Sequence, residues 1–167
     1  MRFVGAALIA AAFAALGVSE SLRLRRRARL VSALCSGLEL LRGEIVSRLA
    51  PMPEAAERLA RYGPEPARGF YAAVCAGLEN LGGAEFSEIW RRALGLLDLP
   101  DPARAAMENL GGSLGRYGAA EQAAAISACE AELRREAQNA AEEARVMGKL
   151  RAGLAAGGGI ILAIVLY

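Results

Sequence analysis

Apolar residues recur every three or four positions through most of this chain, the spacing of one face of an α-helix. Near residue 30, six aliphatic side chains follow one another in this way: Leu30, Leu34, Leu38, Leu41, Ile45 and Leu49. A second series lies near the other end: Ile126, Cys129, Leu133, Ala137, Ala140, Ala144, Met147 and Leu150. Because alternating runs of β-branched residues are missing, the sequence predicts an all-α protein.

Proline and glycine divide this pattern into about six helices. A long first helix is predicted to stop before Pro51, and Pro53 suits the first turn of the second. The next helices are predicted at 53–61, 67–81, 84–97, 102–110 and 119–150, with Asp101 as an N-cap and a glycine-rich turn at 110–118. Short loops favour neighbouring helices that pack antiparallel, so we expect an antiparallel bundle.

The two ends of the chain, residues 3–19 and 153–167, are uncharged and apolar. As a helix with a rise of about 1.5 Å per residue, the first run is a little short of a hydrocarbon core of about 30 Å. Leu22 and Leu24 extend it, and a short helix can thin the bilayer locally. We therefore predict membrane segments at 1–22 and 152–167, into which the first and last helices of a central domain at 23–151 extend.

Positive charge stands beside both apolar runs. Five arginines follow the first run: Arg23, Arg25, Arg26, Arg27 and Arg29. Lys149 and Arg151 precede the second. Because basic residues beside a span stay in the cytoplasm, this pattern predicts a cytoplasmic central domain with both termini outside. Two alternatives stay open, a cleaved secretory signal peptide in residues 1–18 and binding of nucleic acid or anionic lipid by the arginines.

Candidate catalytic chemistry is sparse in this sequence. Histidine is absent and aspartate occurs only at Asp98 and Asp101, so the usual acids and bases are scarce. Cys35, Cys75 and Cys129 are widely separated among apolar neighbours, which predicts small buried side chains rather than a disulfide framework or a metal site. The sequence therefore predicts a protein that is not an enzyme and has no metal or cofactor.

The glycine-rich stretch at 111–115 has two interpretations. It could be a phosphate-binding loop, but it follows no predicted strand, and no lysine with serine or threonine closes it. A tight turn between helices is the favoured interpretation.

Several residues are structural candidates. Trp90 shares a predicted helix face with Phe86, Ile89 and Ala93, which favours a core position over an interface. Glu44 and Gln122 lie near predicted helix ends, where each could satisfy backbone groups. Gly153 and Gly157 have the four-residue spacing that lets helices approach closely in a membrane, either between the two spans or with another membrane protein.

The charges of the last helix form a separate prediction. Glu130 with Arg134 and Glu132 with Arg135 have the spacing of weak ion pairs on one helix. We interpret them as part of a solvated face.

Several segments in this order resemble a known family. They are RARLVSALCSGLELLRGEI, APMPEAAERLA, FSEIW, LGGSLGRYGAAEQ with Gly115 and Gln122, and EARVMGKLRAGLAAGGGIILAIVL. The sequence is similar to the stage III sporulation protein AB family over almost its whole length. In this family the helical domain resembles the platform protein of type II secretion and type IV pilus systems.

The resemblance implies a non-catalytic role in sporulation. The expected function is that of a membrane platform or adaptor in a channel-like secretion complex between mother cell and forespore. The expected partners are a secretion-type ATPase, membrane components of the same complex and membrane lipid, with no nucleic acid and with homo-oligomers left open. The expected location is the mother-cell membrane around the forespore. A generic membrane-anchored scaffold outside sporulation is the alternative.

Overall fold

The computed structural model describes residues 2–79 and 85–166. Within these ranges the chain forms six α-helices and no strand, which confirms the predicted all-α fold. In chain order they are α1 (Arg2–Ser47), α2 (Met52–Tyr62), α3 (Arg68–Glu79), α4 (Phe86–Leu94), α5 (Asp101–Ser113) and α6 (Ala119–Leu166).

The chain divides into two compact units. The central unit comprises residues 27–138, and the other unit comprises residues 1–26 and 139–167, which hold the start of α1 and the end of α6. Within the described residues, no helix combines the length and hydropathy that crossing a membrane requires.

The core of the central unit is built from the predicted helix faces. On α1, Leu34, Leu38, Leu41 and Ile45 are buried, as their spacing predicts. Leu49, the last member of that series, is 76% exposed because α1 ends at Ser47. On α6, Ile126, Cys129 and Leu133 are buried. The predicted faces are therefore confirmed at these buried positions, whereas Leu30, Ala137 and Ala140 are only half-buried. The side chains of Ala144, Met147 and Leu150 lie outside what the structure describes.

The central helices contact one another in sequence order, α2 with α3, α3 with α4 and α4 with α5. Aromatic side chains of α3 and α4 are buried in this core: Phe70, Tyr71 and Trp90 are each at most 2% exposed. Burial of such large rings is a major source of stabilisation in a small domain.

Two predicted boundaries near α5 are wrong. The helix continues through Gly111 and Gly112 to Ser113, so the predicted turn at 110–118 is shortened. Asp101 is the first helical residue, and Pro100 occupies the N-cap position without a side-chain hydrogen bond. The predicted end of the third helix at 81 and the predicted start of the fourth at 84 lie outside the described residues.

Candidate functional site

Four charged side chains connect α1 and α6 in what we call the charged seam: Glu39, Arg42, Glu130 and Arg134. Arg134 Nη2 donates to Glu39 Oε1 at 2.8 Å, and Arg42 Nε lies 3.6 Å from Glu130 Oε1. Each ion pair joins one residue of α1 to one of α6. The seam therefore links the two longest helices by charge as well as by apolar packing.

Glu130 is the unusual member of the charged seam. Its side chain is only 8% exposed, and its Oε1 atom is buried without a hydrogen-bond donor. Burial raises the pKa of the Glu130 carboxyl, and the nearby Arg42 opposes this shift. The geometry corrects the prediction of an exposed Glu130–Arg134 pair, because each residue pairs with a different side chain of α1. Glu132 and Arg135 do approach each other, at 3.7 Å.

Glu130 was missed because spacing within α6 was used to find its partner. Glu130 lies four positions after Ile126 and four positions before Arg134. On a helix this spacing places it beside a buried apolar residue and also beside a cation. Its position three residues before the buried Leu133 was the available signal.

Cys35 and Cys129 lie in the core beside this seam. The Cys35 thiol is 3.7 Å from the Glu130 carbonyl oxygen, and the Cys129 thiol is 3.8 Å from the Met107 sulfur. Burial raises the pKa of Cys35, and it raises that of Cys129 to about 12. Because a thiol reacts as the thiolate, these two cysteines act as small packed side chains, as the sequence predicts.

Cys75 differs from the other two cysteines because it is only half-buried. It lines a cleft of about 380 Å³ between α2 and α3, together with Pro53, Glu54, Glu57, Leu78 and Glu79. Partial burial and the neighbouring Glu79 carboxylate raise the pKa of its thiol. The cleft is acidic, although Glu54 and Glu57 each face an arginine of α2.

The corner after α1 contains three predicted structural residues. Pro51 is the N-cap of α2, and Pro53 follows in its first turn. The Glu44 carboxylate faces Arg48 at 3.3 Å and Arg58 at 3.7 Å. Its backbone carbonyl, rather than its side chain, accepts a hydrogen bond at the helix end, from Ala50 N–H at 3.0 Å.

Gln122 and Gly115 lie at the start of α6. The Gln122 side-chain amide donates to the Tyr117 carbonyl at 2.7 Å, which is a contact with a backbone group beside the helix end. Gly115 has φ 78°, a left-handed conformation that favours glycine. The turn between α5 and α6 thus requires a glycine at 115, whereas Gly111 and Gly112 belong to α5.

Trp90 is held in the core by α5. Its ring is packed edge-on against Phe70, and its Nε1 donates to the Met107 carbonyl at 2.7 Å. A Cβ atom on Gly111 would overlap the Trp90 ring. The missing side chain at Gly111 therefore allows the indole to reach the backbone of α5, a role that the interpretation of this glycine as a turn residue missed.

The five arginines of the basic cluster lie along α1 and differ in how far their side chains are exposed. Arg23, Arg25, Arg26 and Arg29 are exposed. Arg27 is half-buried, and its Nε donates to Asp98 Oδ2 at 2.9 Å. Lys149, Arg151, Gly153 and Gly157 belong to α6, and their contacts lie outside what the structure describes. Arg27, one of the five arginines predicted to stay on the cytoplasmic side of the membrane, is thus bound by Asp98 in the loop between α4 and α5.

The whole helical chain matches a known family. The family model described as stage III sporulation protein AB matches residues 2–167. The chain belongs to the stage III sporulation protein AB family. This membership confirms the resemblance of the sequence segments and supports a role in sporulation.

A solved structure agrees with this assignment at the level of the fold. It is described as stage III sporulation protein AB, with a TM-score of 0.64 at 20% sequence identity. The match covers 72% of this chain and 97% of that chain. No curated protein sequence matches the chain.

Proposed function

We propose that this member of the stage III sporulation protein AB family is a non-enzymatic membrane platform or adaptor in the channel-like complex between mother cell and forespore. The observation that carries the proposal is the family match over residues 2–167. A platform of this kind holds its partners in place. Its function therefore depends on the surfaces that bind those partners and on the stability of the helical bundle, and not on a catalytic group.

The membrane part of this proposal rests on the two long helices. α1 begins at Arg2 and α6 ends at Leu166, whereas the central unit comprises residues 27–138. Both helices therefore extend beyond the central unit as regular helix into the apolar ends of the chain. We propose that residues 1–22 and 152–167 lie in the membrane, with 23–151 in the mother-cell cytoplasm and the basic clusters beside the lipid headgroups.

The proposed partners are a secretion-type ATPase on the cytoplasmic side and membrane components of the same complex. The support is membership of the stage III sporulation protein AB family, for which the sequence resemblance implies a helical domain similar to secretion platform proteins that bind and organise partners. No nucleic acid is required for this role.

Site-specific labelling tests the proposed topology. In a background with Cys75 changed to serine, Gly112→Cys places a thiol on an exposed part of α5 where an added Cβ meets no neighbour. A membrane-impermeant maleimide should label it only after the mother-cell membrane is permeabilised. A thiol added before Met1 should be labelled in intact cells in which engulfment is incomplete, so that the reagent reaches the outer side of the membrane. The reverse pattern would contradict the proposal.

Co-purification tests the platform role. The intact chain, extracted in mild detergent from sporulating cells, should retain the secretion-type ATPase, whereas an unrelated membrane protein carrying the same tag should not. An ATPase level equal to that control would contradict the role, even if the topology is correct.

A further inference from the structure

The loop between α4 and α5, residues 95–100, carries one leucine that the core does not use. Leu96 is 75% exposed, although Leu94 and Leu99 on either side of it are buried. The Leu96 N–H donates to the Ala93 carbonyl at 3.2 Å, so the backbone at this position is still hydrogen-bonded to α4. The fold therefore holds this side chain outside the core.

Arg104 of α5 fixes the shape of the same loop. Its Nη2 donates to the Leu97 carbonyl at 2.8 Å, and its Nη1 donates to the Leu94 carbonyl at 3.3 Å. Carbonyls at the end of a helix have no partner within the helix, so the guanidinium supplies one. The exposed Leu96 thus extends from a backbone that is hydrogen-bonded on both sides of it.

An ion pair connects this loop to the basic part of α1. Arg27 Nε donates to Asp98 Oδ2 at 2.9 Å. Asp98 lies two residues after Leu96, which limits the distance between their Cα atoms to about 7 Å. Arg27 follows the proposed membrane segment 1–22 by five residues, about 7.5 Å along a helix. Because the headgroup layer on each side of a bilayer is about 5–7 Å thick, the loop lies close to the lipid headgroups.

The charge of this part of α1 is complementary to an anionic surface. Residues 21–38 contain five arginines and neither aspartate nor glutamate. Arg25, Arg26 and Arg29 are exposed, and no carboxylate of the described residues forms an ion pair with them. The next four arginines along the chain each face a carboxylate: Arg42, Arg48, Arg58 and Arg61.

Basic residues beside an exposed apolar side chain are typical of a protein surface that lies on a membrane. The basic residues attract anionic headgroups, and the apolar side chain enters the boundary between the headgroups and the acyl chains. A protein partner could also cover a leucine, but the position of Leu96 close to the end of the proposed membrane segment favours lipid.

We propose that the α4–α5 loop is a second membrane contact of this protein, in which Leu96 enters the headgroup layer of an anionic bilayer and the Arg27–Asp98 pair holds the loop there. Arg29, two positions after Arg27, binds a lipid phosphate beside the loop. This inference rests on the proposed membrane position of residues 1–22, and it assigns lipid contact to a loop of the central unit as well.

α5 leads away from this loop and provides a control position. Met107 of α5 lies against Cys129, with 3.8 Å between the sulfur atoms, and the residue after Cys129 accepts a hydrogen bond from the Cys35 thiol. Cys35 is 13 residues beyond the proposed membrane segment, about 20 Å along α1. Gly112 follows Met107 on α5, is exposed, and has room for an added Cβ.

Fluorescence quenching by lipid tests the contact in the full chain. In the Cys75→Ser background, an NBD fluorophore is attached at Leu96→Cys or at Gly112→Cys, and the protein is reconstituted into vesicles of phosphatidylcholine and phosphatidylglycerol. Spin-labelled headgroups should quench the fluorophore at Leu96→Cys about threefold or more above the Gly112→Cys control. Vesicles of phosphatidylcholine alone should lower the quenching at Leu96→Cys by about twofold or more, because the arginines lose their anionic partner.

A variant of Asp98 tests how the loop is held. Asp98→Asn removes the charge that binds Arg27, but it also removes a negative charge that anionic lipid repels. Release of the loop should lower the quenching at Leu96→Cys, whereas charge attraction alone would raise it. Glu88→Gln is the matched control, because it removes a carboxylate of α4 that pairs with Arg92 and should leave the quenching unchanged.

A fluorophore at Gly5→Cys, inside the first apolar run, separates this inference from the proposed membrane segment. Acyl-chain quenching at Gly5→Cys without an excess at Leu96→Cys over Gly112→Cys would overturn the loop contact alone. No quenching at Gly5→Cys would overturn the membrane position of residues 1–22 together with this inference.

Two further results would overturn the proposal. A rise in quenching with Asp98→Asn would exclude the ion pair as the group that holds the loop at the membrane. Protection of the Leu96→Cys fluorophore from iodide in cell membranes, without quenching by lipid, would assign the loop to a protein partner instead.

Discussion

The packing around Trp90 and the charged seam both lie in the central unit, yet they join helices by different means. Around Trp90, rings from α3 and α4 meet the backbone of α5, and the indole N–H has a close acceptor at 2.7 Å. In the seam, Glu130 is buried but its closest cation is 3.6 Å away, and Oε1 has no hydrogen-bond donor. The indole N–H of Trp90 is therefore paired, whereas Glu130 Oε1 is not.

The comparison distinguishes two sources of stability: close packing of side chains around Trp90 and charge interactions in the charged seam. A ring packed against a glycine tolerates almost no added volume, because protein interiors are close-packed. A buried carboxylate tolerates volume changes better, but its contribution depends on ionisation and on its partner. The two regions should therefore respond to different perturbations, and paired variants can show this.

The largest expected effect is that of Gly111→Ala. The added methyl group overlaps the Trp90 ring, so we expect a loss of about 2 kcal/mol in the free energy of unfolding, the usual range for overpacking. Gly112→Ala is the matched control, because that glycine is exposed and an added Cβ meets no neighbour. There alanine should stabilise α5 by about 0.5–1 kcal/mol.

Denaturant unfolding of the full chain in detergent measures both variants. Equal effects of the two alanines would contradict the close approach of Trp90 to Gly111.

The next effect is that of Arg42→Met, which removes the cation beside Glu130. Because Arg42 is 45% exposed, water can replace part of its interaction, and we expect a loss of about 1–2 kcal/mol at neutral pH. Arg61→Met removes an exposed pair with Glu57 on α2, although that pair is shorter, at 2.8 Å. Its loss should cost less than about 0.5 kcal/mol.

The pH dependence of Arg42→Met identifies the group responsible. Burial already raises the pKa of Glu130 above its unfolded value, and loss of Arg42 raises it further. The folded state then binds more protons than the unfolded state, so stability falls as the pH rises from the unfolded pKa through the raised one. The defect should therefore shrink on acidification, and Glu130→Gln in the same chain should remove this pH dependence. A defect that is constant with pH would show that Arg42 acts by packing alone.

The smallest effect is expected for Gln122→Ala, outside both regions. This change removes the amide that donates to the Tyr117 carbonyl, so the midpoint of thermal unfolding should fall by an amount equivalent to about 0.5–1 kcal/mol. Gln138→Ala, an exposed position farther along α6, provides the control. Identical melting curves for wild type and Gln122→Ala would contradict a role in fixing the start of α6.

The fold could be predicted from the sequence largely because helix periodicity is a local property. The spacing of Leu34, Leu38, Leu41 and Ile45 identifies the buried side of α1 without knowledge of any other helix. The same pattern failed at Leu49, since the helix ends two residues earlier.

The misses concern contacts between helices. Spacing alone placed Glu130 beside Arg134, but Arg42 and Glu39 come from α1 and can be found only in the folded chain. Gly111 was read as a turn residue because glycine is a poor helix former, whereas contact with Trp90 requires it inside α5.

The central claim is that this family member serves sporulation from a membrane-anchored position, and spore formation tests it most directly. Heat-resistant spores should be counted for a strain that lacks the gene and carries either the intact chain or one without residues 153–167. We predict that spore formation fails after engulfment and that only the intact chain restores it. Normal spore numbers without the gene, or full rescue by the shortened chain, would contradict the account.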